Sequence, residues 1–181
     1  MNEELLINYA SPTLANKKLA NLFTFKNTQE IDIDKMVKGW NKVLNQRNVY
    51  IEVLKKSSSY AQIYAYRPDK LKYVLNENKT KSLLKKLGYK TSDMRLSINY
   101  LKKRMQENEF PHEIGIFLGY PYEDVEGFIK NKGGHFLISG YWKVYDKKED
   151  KINLFNNYQK ITKSYQLLFT HYKDIEKLCI Y

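Results

Sequence analysis

Residues 49–67, VYIEVLKKSSSYAQIYAYR, constrain the fold more than any other stretch. Val49–Lys55 and Tyr60–Arg67 are two strand-like runs, and the Ser57-Ser58-Ser59 segment between them supplies a turn. In the second run Tyr60, Gln62, Tyr64 and Tyr66 face one way, and Ala61, Ile63 and Ala65 face the other. Alanine at alternate positions leaves room for a helix on that second face. A chain built around this hairpin needs a sheet with helices laid on it.

The flanking segments supply both. Leu19–Lys26 alternates as a strand should. Glu3–Tyr9 reads as a short helix that Ser11-Pro12 breaks. Asp32 or Asp34 can cap a helix whose Ile33, Met36, Val37, Trp40, Val43 and Leu44 form one apolar face. After Pro68, helices are expected over Asp69–Asn76 and Lys79–Leu87, the second closed by Gly88. A longer helix is expected from Ser92 to about Asn108, with Met94, Ile98, Leu101 and Met105 inward. Phe136–Tyr145 reads as an aromatic strand. A last helix runs from about Glu149 to Tyr172, with Phe155, Tyr158, Tyr165, Leu168 and Tyr172 inward. The expected fold class is α+β: a single globular domain over residues 1–181, with a mixed or antiparallel sheet of about five strands and helices packed on it.

Composition bounds the setting. Hydrophobic residues make up 43% and charged residues 28% of the 181, as in ordinary globular chains. Cys179 is the one cysteine, so an internal disulfide is excluded, which fits a reducing cytoplasm. The acidic start MNEELL lacks the features of a signal peptide. No apolar run approaches the roughly 20 residues of a membrane span, so no membrane partner is expected.

The net charge is +11, carried by 27 Lys and four Arg. Between Lys79 and Arg104 nine basic residues meet one acid, Asp93, so this segment holds +8 of the total. Nucleic-acid binding through Lys85, Lys86, Arg95, Lys102, Lys103 and Arg104, with Tyr89 or Tyr100 as stacking groups, is therefore one reading. The other is that these residues are the solvated side of amphipathic helices.

Phe110–Phe128, FPHEIGIFLGYPYEDVEGF, interrupts the run of helices. Phe110-Pro111 stops the preceding helix. His112 and Glu113 then open an apolar run, Ile114–Leu118, expected as a short buried strand. Gly119-Tyr120-Pro121 turns the chain into a helix whose first turn carries Glu123 and Asp124, where the dipole favours acids. Val125, Phe128 and Ile129 give that helix its buried face, and Gly133-Gly134 ends it. His112 and Glu113 are the candidate acid–base residues, although side chains of neighbouring strand residues point to opposite faces. The alternative for His112 is a structural role at a helix–strand junction. A ligand site is expected around His112, Glu113, Tyr120, Asp124, Lys143 and Tyr145. No second histidine follows His112-Glu113 at helical spacing, and no metal site is expected. Phosphate-binding loops, GxGxxG, GxSxG and CxxC are absent from the sequence.

Three blocks carry a resemblance. They are Pro12-Thr13-Leu14-Ala15 with Lys17 or Lys18 and Leu22-Phe23; Phe110-Pro111-His112-Glu113-Ile114-Gly115 through Leu118-Gly119-Tyr120-Pro121 and Asp124-Val125 to Gly127-Phe128; and Gly140-Tyr141-Trp142-Lys143-Val144-Tyr145. The combination resembles an uncharacterised bacterial family, common in clostridia and related Firmicutes and named only as a domain of unknown function. The resemblance implies a cysteine just ahead of the first block. Here Asn8-Tyr9-Ala10-Ser11 stands there, which argues against a cysteine nucleophile. It also implies a link to metal or redox physiology, and it names no activity or cofactor. The expectation is a cytoplasmic protein that binds a ligand, cofactor or partner, either a small molecule or a protein. The alternatives are an enzyme using His112 as acid or base and the nucleic-acid reading.

Overall fold

A computed structural model describes residues 2–26 and 31–180. In chain order the elements are α1 (Glu3–Leu14), β1 (Ala20–Lys26), α2 (Ile33–Leu44), β2 (Tyr50–Lys56), β3 (Tyr60–Tyr66), α3 (Pro68–Asn76), α4 (Asn78–Lys86), α5 (Met94–Arg104), α6 (Ile114–Phe117), α7 (Tyr122–Lys130), β4 (Ile138–Ser139), β5 (Lys143–Val144), α8 (Lys148–Tyr172) and α9 (Ile175–Leu178). The class is α+β. The chain packs as two compact units, one of residues 1–70 with 160–181, the other of residues 71–159.

The first unit is built on the hairpin. β3 is the central strand of an antiparallel sheet in the order β1-β3-β2, with Ile63 opposite both Phe23 and Val53. Ala61, Ile63 and Ala65 are fully buried beneath helices, α1 packing on β1 and β3 and α2 on β2. The other face of β3 is covered as well: Tyr64 and Tyr66 are buried and their rings stack at 4.9 Å. Asp32 caps α2, accepting from Lys35 N at 3.0 Å. Trp40 and Leu44 on its inner face are fully buried. Asn41 on α2 completes the edge of the sheet. Its amide donates to the Ile51 carbonyl and accepts from the Ile51 N–H, both at 2.8 Å, so this part of the outer edge of β2 is paired although, among the described residues, no strand lies on that side.

Pro12 does not break the first helix, as the sequence suggested; it lies inside α1. Proline removes one donor, and the helix runs only two residues beyond it. The carbonyls exposed at that end are gripped by Arg67, whose Nε donates to Thr13 O at 2.8 Å and whose NH2 group donates to Leu14 O at 3.0 Å. Left-handed Asn16 then turns the chain.

The second unit holds α4, α5, α6, α7 and the β4–β5 hairpin, with one end each of α3 and α8. Two expectations are corrected here. Ile114–Leu118 is a single buried helical turn, α6, and not a strand. Ile114 N bonds to Pro111 O at 3.0 Å, Leu118 N to Ile114 O at 2.9 Å, and left-handed Gly119 ends the turn so that Tyr120 N reaches Gly115 O at 2.9 Å. A short apolar run buried all round has no periodicity to separate the two states. Residues 136–145 form two two-residue strands around a Gly140-Tyr141-Trp142 loop, with Ser139 opposite Lys143. A Cβ on Gly140 would stand 2.4 Å from the Phe155 ring of α8, so only glycine fits that bend.

Lys18, in the first unit, is a buried cation whose charge burial disfavours. Burial pushes its ammonium down to about 7, and it donates to the Ala20 carbonyl. Between pH 7 and about 10.5 the unfolded chain keeps a proton that the folded chain has released, so stability from this group rises with pH across that window. Below it, both states hold the proton and the cost of the buried ammonium no longer changes with pH. Lys18→Met should therefore stabilise the protein most at pH 6–7, with the gain fading toward pH 10. Urea denaturation across this range tests it, and a pH-independent difference between the two proteins would contradict the assignment.

Candidate functional site

The FPHEIG segment places His112 and Glu113 back to back. Pro111, the residue after the helix stop, accepts from Ile114 N and starts the α6 turn, which swings the two side chains apart. Glu113 points inward and is 3% exposed. Its Oε1 accepts from Tyr89 Oη at 2.9 Å and from Arg104 Nε at 3.1 Å. The hydrogen bond to Glu113 raises the Arg104 pKa further, and burial together with Glu113 raises that of the Tyr89 phenol. Arg104 also pairs with Glu107. Glu113 is thus satisfied within the interior.

His112 points outward. Its ring lies 4.8 Å from that of Phe128 and 6.1 Å from that of Phe110. Among the described residues neither of its nitrogens has a hydrogen-bond partner. It stands at the rim of a cleft of about 240 Å³. Tyr120 and Trp142 form one wall, their rings stacked at 4.5 Å. Phe110 and Phe128 contribute aromatic surface, and Ile114, Gly115 and Val125 contribute apolar surface. A Cβ on Gly115 would stand 2.7 Å from Val125 Cγ2, so glycine lets α6 seat closely on α7. Burial pushes the Tyr120 phenol up to about 12, and its hydroxyl donates to Tyr141 O at 3.3 Å.

Lys143 supplies the cation of the cleft. Its Nζ donates to Gly133 O at 2.7 Å and lies over the Phe136 and Phe128 rings, 4.8 Å and 5.6 Å from their centroids. Asp124 also lines the cleft, yet it is 2% exposed and fully engaged. Oδ2 accepts from Trp142 Nε1 at 2.7 Å, and Oδ1 accepts from the backbone N–H groups of Tyr145 at 2.7 Å and Asp146 at 3.2 Å. The carboxylate ties the start of α7 to the β4–β5 hairpin, which carries Trp142 and Lys143.

Of the six residues expected at a ligand site, His112, Tyr120, Asp124 and Lys143 line this cleft; Glu113 and Tyr145 do not. Tyr145 packs instead against Gly127, where a Cβ would stand 2.6 Å from its ring, and burial raises its phenol pKa. Trp142, Phe128 and Ser139 line the cleft and were not expected to. The GYWKVY block did carry a signal for Trp142, while Phe128 reads from sequence as plain core because its spacing matches that of Val125.

Elsewhere the surface offers less. A cavity of about 570 Å³ on the other side of Tyr120 contains Lys79 and Glu123, which pair with each other at 3.2 Å. The first unit has an open groove of about 1930 Å³ along α2, where Lys35, Lys38 and Lys42 alternate with Glu3, Glu4 and Asp32. In the basic segment Lys85, Lys86, Arg95 and Lys103 are exposed and Lys102 is half-buried, whereas Arg104 is paired with Glu113 and Glu107. Tyr89 is buried and Tyr100 packs edge-on against it at 4.6 Å, so neither presents an open face to a base. Among the described residues no three His, Cys, Asp or Glu side chains cluster to hold a metal ion, and no helix is long and apolar enough to cross a membrane.

Asp124→Asn tests the tie. An amide in place of the second carboxylate oxygen turns a donor toward a donor, which should cost about 2–3 kcal/mol of stability. The Trp142 indole N–H should lose its bonded NMR shift. Unfolding within 0.5 kcal/mol of wild type, by the roughly linear dependence on urea, would show that the hairpin does not depend on this carboxylate.

No curated protein and no solved structure matches the chain. The family described as a protein of unknown function, DUF3793, matches residues 6–179. That match covers all three blocks, most of the helix that Arg67 seals and every residue of the cleft, and the chain belongs to this family.

Proposed function

We propose that the protein is a cytoplasmic small-molecule-binding protein whose site is the aromatic cleft between α6, α7 and the β4–β5 hairpin. One observation carries the reading: four aromatic rings and three small or aliphatic residues converge on one concave site with a few polar groups at its rim. Its volume lies just under the roughly 300–1,000 Å³ of drug-sized sites, which suits a single ring or a fused ring pair. The walls are preformed, because Asp124 and the Tyr120–Trp142 stack hold them without a ligand. Preformed walls spare a ligand the cost of ordering side chains. The lone buried Cys179 supports a reducing compartment.

An acid–base enzyme is favoured less. His112 needs an orienting or cooperating carboxylate. Glu113 faces away from it, and both oxygens of Asp124 are taken by N–H donors.

Indole NMR tests the proposal directly. The chain has two tryptophans, and Trp40→Phe assigns their N–H signals; the Trp40 Nε1 has no hydrogen-bond partner among the described residues, so no bond is lost. A neutral aromatic such as 2-naphthol should shift the Trp142 signal saturably. Ser139→Phe, which places a ring at the rim, should abolish the shift. A Trp142 signal that stays fixed for every aromatic compound tried would refute the site.

A further inference from the structure

Resting on that reading of the cleft, we infer that its ligand is an aromatic anion, a planar ring bearing a carboxylate or a similar acidic group, with Lys143 selecting the charge. Three observations converge on this class. The apolar and aromatic lining sets the ring. Stacked Tyr120 and Trp142 offer a flat wall, and Phe128 lies beside it.

Charge at the rim sets the sign. Among the lining residues the basic groups are Lys143 and His112, and the one acid is Asp124. Asp124 accepts three hydrogen bonds, from Trp142 Nε1 and two backbone N–H groups, and is 2% exposed, so little of its carboxylate is open to a guest cation. Lys143 spends one of its three N–H donors on Gly133 O. The other two are left for a ligand acceptor. His112, with no hydrogen-bond partner among the described residues, adds a second donor on the Phe128 side.

Lys143 also settles the competing class. Aromatic boxes often bind cations through ring faces. Here the faces of Phe128 and Phe136 already hold the Lys143 ammonium, at 5.6 Å and 4.8 Å. A second cation would meet that charge at close range in a poorly solvated cleft, while an anion would complete it. The half-buried ammonium makes this attraction larger than at an open surface.

Isothermal titration calorimetry with three naphthalene probes of one shape tests the charge preference: 2-naphthoate, neutral 2-naphthol and a naphthyl-trimethylammonium cation. The full-length protein should bind 2-naphthoate about tenfold or more tighter than 2-naphthol, and the cation weakest of all. Lys143→Gln should cut naphthoate affinity about tenfold and bring the ratio of naphthoate to naphthol affinity close to one, whereas Lys143→Arg should keep the preference. His112→Gln should weaken naphthoate by a smaller factor. Equal binding of naphthoate and naphthol, or tighter binding of the cation, would overturn the inference while leaving the cleft a binding site. Failure of all three probes to bind would overturn both.

Discussion

The second unit hangs on one buried carboxylate. The β4–β5 hairpin has two residues in each strand, too few to hold itself against water. Asp124 does much of what a longer ladder would. By accepting from the Trp142 indole and from the Tyr145 and Asp146 amides, it fixes the hairpin to the first turn of α7 at three points. Close packing then follows at two glycines, Gly127 under the Tyr145 ring and Gly140 under Phe155. The wall of the cleft is consequently a product of the same hydrogen bonds that hold the hairpin. A carboxylate in that place is costly to bury and cheap to satisfy, because an amide and an indole donate without bringing a counter-charge.

The first unit uses the same device with the opposite sign. Arg67 is fully buried, and its hydrogen-bond partners include the carbonyls of Thr13, Leu14, Arg47 and Ile180. These include the negative end of α1, where a cation is favoured by the helix dipole. Burial pulls the guanidinium pKa down, but no common pH removes its proton. Its neighbour Cys179 is raised to about 11 by burial, against the opposing pull of Arg67 and Arg47. Burial of this kind disfavours the thiolate, the form that reacts.

What the sequence revealed follows from which forces leave a local trace. The hairpin of residues 50–66 was legible because alternation in a central strand is strict: each misplaced side chain would meet a helix or another strand. The caps at Asp32 and Gly88 were legible because they act within a few residues. The Ile114–Leu118 turn was not, since IGIF followed by Leu118 is apolar at every position and buried on every side, and either backbone state would satisfy that pattern. Pro12 misled for a different reason. Its missing donor is tolerated near a helix end whose carbonyls are claimed by Arg67, a residue 55 positions further along. Long-range partners of this kind also concealed the roles of Asp124 and Glu113, which read from sequence as ligand-site residues, the first also as a helix-start acid and the second as a candidate acid–base group.

The His112-Glu113 pair shows why neighbours in sequence can belong to different chemistry. Had the run after them been a strand, the two would have alternated faces; as a helical turn it separates them just as well, one into the core and one to the rim. Glu113 is drawn inward by Arg104 and Tyr89, and with it goes the carboxylate that could have oriented His112. The remaining polar groups of the cleft, His112, Lys143 and Ser139, can each donate to a guest. Acid–base catalysis needs groups that exchange protons with each other through the reacting molecule, whereas recognition needs only groups that complement it. The cleft supplies complementarity on rigid walls: a stacked aromatic face, a tied hairpin and a cation with bonds to spare.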